Sequence, residues 1–162
     1  MTDLPAAMVE MIVQFFGRGP QPSYGKAFEI IERDPYRRVR ERFNADWGAY
    51  DFTDHNSDVA SVVNLPGHPR RLAVRLSIVG SYAYVNDYGG RAVDDPEIAG
   101  TLAAEGFLVL PRELLMRPVP LWEPEFPVTV WELLFQFDEE PPWEALARFA
   151  DDETGTTGTG PA

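Results

Sequence analysis

The stretch "LAVRLSIVGSYAYV", residues 72–85, decides the fold, because its residues support two geometries with opposite consequences. Side chains alternate along a strand. Read as one unbroken strand, it puts Leu72, Val74, Leu76, Ile78, Tyr82 and Tyr84 on one face, and the tyrosines are core. Read as a hairpin turning at Gly80-Ser81, it sets Val79 opposite Tyr82, Ser77 opposite Tyr84 and Arg75 opposite Asn86. Val74, Leu76, Ile78, Ala83 and Val85 then share the other face. The hairpin sorts polar from apolar residues better, and Gly-X suits a two-residue turn. A bulge at Gly80 would switch the faces without reversing the chain. The hairpin is preferred, and it places Tyr82 and Tyr84 beside Arg75 and Ser77, where a partner or a packed helix must account for them.

On the N-terminal side of this stretch, "DVASVVNL" (58–65) reads as a strand and "PGHPRR" (66–71) as a turn, Pro-Gly supplying a restricted φ and then a permissive one. "YGG" (88–90) closes the far end. "DDPEIAGTLAAEGF" is a helix with Asp95 as cap, Pro96 in the first turn and Gly106 at the stop. "FLVL" (107–110) predicts a short buried strand and "PRELLM" a helical turn.

"VTVWELLFQF" (128–137) suits helix or strand; Val128, Trp131, Leu134 and Phe135 favour helical spacing. "PPWEALARFA" (141–150) predicts a short helix. Before the sheet, Met8, Ile12, Phe15 and Phe16 mark an amphipathic helix ending at Gly17. Residues 24–44 read as helix, break, helix, with Asp34-Pro35 as cap and first turn, and with Tyr36, Val39 and Phe43 as a buried stripe. The expected class is α+β: a small antiparallel sheet, a meander of about three to five strands, with helices packed on it. One domain is expected over 1–150, and 151–162, which offers nothing to bury, is expected to be a flexible tail.

Composition agrees with a globular domain: 162 residues, 44% apolar and 25% charged. No apolar run approaches the roughly 18 residues that cross a bilayer. The first apolar segment carries Glu10 and Gln14 with no basic residue before it, so it does not resemble a secretory leader, and a cytoplasmic location is expected. With zero cysteines, disulfides, thiolate metal sites and Cys nucleophiles are excluded.

The formal charge of −12 is uneven: residues 122–162 hold 10 acids against one base, Arg148, whereas 1–121 hold 16 against 13. A general nucleic-acid binder needs the opposite sign. An acidic surface either steers a basic partner or maintains solubility. Arg33, Arg37, Arg38, Arg40 and Arg42 form a local basic cluster, which is either a phosphate site or a face paired with Glu32, Glu41 and the acidic C-terminal third.

Catalytic patterns are sparse. Asp54, Asn56 and Asp58 imitate the start of a calcium loop, but Val59 stands where glycine is needed and Leu65 where a glutamate is needed, so a polar loop is the better reading. His55 and His68 lack zinc-ligand spacing, so no metal is expected. "VGSYA" lacks the nucleophile elbow, and neither dinucleotide nor P-loop glycine patterns occur, so no cofactor is expected. "YGGR" (88–91) could offer amides to an anion, although glycines are common at hairpin ends. A carboxylate pair formed only in space stays open as an enzymatic alternative.

The remaining cluster is acidic and aromatic. Trp122, Phe126, Trp131, Phe135, Phe137 and Trp143 interleave with Glu123, Glu125, Glu132, Asp138, Glu139, Glu140 and Glu144. Most of these rings should be core. Those left outside, within an acidic rim, have the composition of an interface hot spot. The candidate partner-binding residues are Trp122, Glu123, Glu125, Asp138, Glu139, Glu140, Trp143 and Glu144, with Tyr82 and Tyr84 from the hairpin.

Together "RLSIVGSYAYV", the capped helix leading into "GFLVLPRELL", and "TVWELLFQFDEEPPW" resemble the small acidic immunity proteins of bacterial, especially actinobacterial, polymorphic toxin systems. The resemblance covers the layout of residues 60–145 and no specific binding motif. It implies an antitoxin-like protein that binds and blocks a cognate toxin. The competing expectations are a small-ligand or enzymatic domain with an unrecognised pocket, and an adaptor in phage or host defence.

Overall fold

A computed structural model describes residues 4–122, 127–137 and 141–144. In chain order the elements are α1 (Ala6–Phe16), α2 (Gly25–Ile31), α3 (Arg37–Trp47), β1 (Tyr50–Asp51), β2 (Ala60–Leu65), β3 (Leu72–Ser77), β4 (Tyr82–Asp87), α4 (Pro96–Ala104), β5 (Leu108–Val109), α5 (Arg112–Leu115) and α6 (Val130–Leu134). They form the expected α+β fold. The sheet has order β1-β2-β3-β4-β5, antiparallel through β4, with β5 parallel to β4. That last pairing needs a crossover, which α4 supplies.

The hairpin is present, but its turn is wider than Gly80-Ser81. Arg75 pairs with Tyr84, Leu76 with Ala83 and Val74 with Val85, two residues away from the predicted register. A shift of two preserves the pleat, so the paired residues keep their predicted faces, whereas Ile78, expected beside Val74 and Leu76, turns to the opposite core with Tyr84. Residues 78–81 leave the ladder, and Ile78 and Val79 bury themselves in the core as loop residues.

Alternation divides the core in two. On one face Val63, Leu65, Leu72, Val74, Leu76, Ala83 and Val85 pack against Val39 and Phe43 of α3 and Ile98 and Leu102 of α4. On the other, Tyr84, Ala60 and the loop residues Ile78 and Val79 pack with Met8, Ile12 and Phe16 of α1, Ala27 and Ile31 of α2, and the residues of α6. Helices therefore cover both faces of the sheet.

Local signals explain the starts of α4 and α6. Asp95 caps α4 by accepting from the amides of Glu97 and Ile98, with Pro96 in the first turn. Thr129 and Glu132 form a capping box that starts α6, which resolves the 128–137 ambiguity in favour of helix.

Asp34 departs from its predicted role. Rather than capping α3 it takes a left-handed φ of 52°, and its two carboxylate oxygens accept from Arg40 at 2.7 Å each. The bidentate bond outcompetes the cap because it satisfies a half-buried guanidinium. The "FLVL" strand also differs: β5 is an edge, and Leu108 and Val109 face outward.

Candidate functional site

The structure separates the predicted partner residues by burial. Tyr84 is only 2% exposed. Its ring meets Trp131 at 5.5 Å and 83°, and Trp143 at 5.4 Å and 71°, the edge-to-face geometry of a packed aromatic core. A packed helix accounts for it, and Tyr84 is not a surface residue. Burial pushes its phenol up to about 12, against the opposing pull of Arg112 and Arg75. Tyr82 is half-buried against the same core, and burial raises its phenol too.

Trp143 is likewise buried, its indole Nε1 donating to the Met116 sulfur at 3.2 Å, so it too leaves the predicted surface. Trp122 and Glu144 are half-buried. Glu123, Glu125, Asp138, Glu139 and Glu140 lie outside the described residues. Of the other rings in that cluster, Trp131 and Phe135 are core and Phe137 is exposed.

The three most exposed aromatic side chains among the described residues gather elsewhere, on residues outside the predicted set. Phe52 is 63% exposed, Tyr88 47% and Tyr50 44%. Tyr50 belongs to β1 at the sheet edge, with Asn64 as its cross-strand neighbour. The Asn64 side-chain amide donates to the Tyr50 hydroxyl at 3.0 Å. Phe52 follows on, its amide bonded to the Val62 carbonyl, and its ring stands 6.2 Å from that of Tyr50 at 85°. Tyr88 comes from the end of β4, held by a bond from its amide to the Arg71 carbonyl. Burial of its hydroxyl and the adjoining Tyr50 phenol raise the pKa of Tyr88. Asp51 lies between Tyr50 and Phe52 in sequence, and Asp87 precedes Tyr88. The available signal was the i, i+2 aromatic pair in "YDF", just after the left-handed Gly48 that stops α3.

The polar clusters are occupied locally. His68 is buried; its Nδ1 accepts from the Arg70 amide at 3.1 Å, which places the proton on Nε2, and Nε2 donates to Asp95 at 3.0 Å. Both nitrogens are engaged in holding the turn to α4. Asp54 accepts from Asn56 and Ser57, and Asp58 from the Asp54 amide, the turn bonds of a polar loop. Among the described residues no group of three His, Cys, Asp or Glu side chains could hold a metal ion. The "YGGR" amides serve the chain itself: Gly90 bonds to the Asp87 carbonyl and Arg91 to its carboxylate.

The arginine cluster is largely neutralised. Arg33 pairs with Glu29, Arg37 with Glu41, Arg40 with Asp34 and Arg42 with Glu105. Glu41 was expected among these acids; Glu29, Asp34 and Glu105 take the places foreseen for Glu32 and the C-terminal third.

No family model, no curated protein and no solved structure matches the chain. Among the described residues no helix is long and apolar enough to cross a membrane.

Proposed function

We propose that this chain is an immunity or antitoxin-like protein that acts in the cytoplasm and neutralises a cognate basic toxin domain by binding it. The observation that carries the reading is the exposed aromatic trio Tyr50, Phe52 and Tyr88 beside the free β1 edge of a chain with net charge −12. Rigid rings left in water are the usual anchors of a protein interface. An acidic field around them raises the encounter rate with a basic partner and disfavours acidic ones. The acid-rich stretch 122–144 supplies part of the net negative charge, and the role proposed for it is steering.

The test is co-expression with the product of the neighbouring gene, where that gene encodes a protein ending in a basic domain. Restored growth and a co-purifying complex support the reading. Persistent toxicity with no complex rejects it. Charge reversal at Glu139, Glu140 and Glu144 should slow association and flatten its salt dependence; unchanged rates would remove the steering role.

A further inference from the structure

Where β5 parts from β4, the sheet edge divides. Leu110 bonds its amide to the Ala83 carbonyl on one side of the division, and Val93 bonds its amide to the Val85 carbonyl on the other. Between them lies a cleft of about 430 Å³. That volume falls in the range of small-molecule sites.

Its walls are apolar, with Val85, Val93, Val109 and Leu110 among them, and they carry two opposite charges from different segments. Asp94 comes from the segment leading into α4, and Arg112 from the start of α5. Neither has a salt-bridge partner among the described residues, and the two do not pair with each other.

Arg112 is nevertheless held in place. Its guanidinium carbon stands 5.3 Å from the centre of the Trp143 ring. A cation–π contact engages the guanidinium without consuming its N–H donors, which stay available to a carboxylate. An apolar cleft that carries a cation and a separate anion offers one contact of each kind that a small zwitterion with an apolar side chain requires.

We propose that this cleft binds a zwitterionic molecule of amino-acid size with an apolar side chain, its carboxylate on Arg112, its ammonium group on Asp94 and its side chain against Val93, Val109 and Leu110. The site is independent of the partner reading, since it uses none of Tyr50, Phe52 or Tyr88.

The experiment titrates the full chain with L-leucine, N-acetyl-L-leucine and L-leucinamide up to about 10 mM, by calorimetry and amide chemical shifts. L-leucine should bind saturably and move the Val93 and Leu110 signals. N-acetyl-L-leucine lacks the ammonium group and leucinamide lacks the carboxylate, so each should bind about tenfold more weakly or worse. Arg112→Gln and Asp94→Asn, both at exposed positions, should each cause a loss of similar size, while Arg91→Gln, outside the cleft, should not. Absence of saturable leucine binding, equal binding of the three probes, or leucine binding unchanged in Arg112→Gln would each overturn the proposal.

Discussion

His68 donates from Nε2 to Asp95 Oδ2 across 3.0 Å, and this bond joins the turn between β2 and β3 to the first turn of α4. The Trp47 ring, 4.7 Å from the imidazole, closes the third side from α3. Asp95 thereby serves two structures: its Oδ1 accepts from two α4 amides while its Oδ2 accepts from the histidine. A residue pair that resembles part of a catalytic triad is here a strut, because the other imidazole nitrogen is already bonded to the Arg70 amide.

Asp95→Ala should therefore cost about 2–3 kcal/mol, from a lost helix cap and a buried imidazole left without its acceptor. Asp95→Asn keeps an acceptor for the amides and should cost less. The Ile98 amide is the main cause holding the Asp95 carboxyl below its ordinary value, with His68 adding to it. A folded pKa below the unfolded one means that the charge stabilises above about pH 4 and that this stabilisation is lost as pH falls through the folded value. Urea unfolding followed by tryptophan fluorescence should show the gap between wild type and Asp95→Asn narrowing from pH 7 to about pH 3. A gap equal at both would refute the electrostatic part.

Tyr84 gives a second prediction. Its hydroxyl is buried with no hydrogen-bond partner among the described residues, whereas its ring is packed against Trp131 and Trp143. Tyr84→Phe should be neutral within about 1 kcal/mol or slightly stabilising, since it removes a desolvated hydroxyl and no contact. Tyr84→Ala should cost about 3–5 kcal/mol through the cavity it leaves. A large loss from Tyr84→Phe in thermal or urea unfolding would show that the hydroxyl is bonded.

Much of this architecture was legible from residue types, and the failures have physical causes. The faces of the paired hairpin residues were readable because a two-residue slip leaves the pleat unchanged; the slip itself, and with it the side taken by Ile78, was not. Ile78 and Val79 have strand chemistry, and only burial against α1 and α6 draws them into the loop. The α4 boundaries were readable because Asp95, Pro96 and Gly106 act locally. β1 is two residues long, too short for any period to show, whereas β5 was legible as a strand within 107–110 and only its exposed edge position was not. The candidate surface was the least legible part. Ring content alone does not tell Tyr84, buried under a helix, from Phe52, which is exposed.

Gly80 gives a third prediction, with a built-in control. Its φ of +104° lies in the left-handed region, and an added Cβ would meet the Met11 sulfur and stand 2.9 Å from Tyr82 Cε2. Gly80→Ala should cost about 2–4 kcal/mol, combining backbone strain with overpacking. Gly100 lies within α4 with open space where a Cβ would go, so Gly100→Ala should stabilise by about 0.5–1 kcal/mol. Opposite signs in urea midpoints are expected; a tolerated Gly80→Ala would mean that the 78–81 loop relaxes freely.

Phe52 tests the interface directly. At 63% exposure and with no hydrogen bond from its side chain, it is the member of the aromatic trio that folding needs least. Phe52→Ala should change stability by no more than about 0.5 kcal/mol. If the ring anchors a partner, the same change should weaken the complex by about 2 kcal/mol, roughly 30-fold in Kd, mainly through faster dissociation. Tyr50→Ala is a poorer probe, because it also removes the acceptor of the Asn64 amide and so mixes folding with binding. Raising salt should slow association for wild type and Phe52→Ala alike, because the acidic field is intact in both. Measuring on- and off-rates of both proteins at two ionic strengths separates anchoring from steering: a Phe52→Ala complex with wild-type lifetime would move the anchor away from the β1 edge.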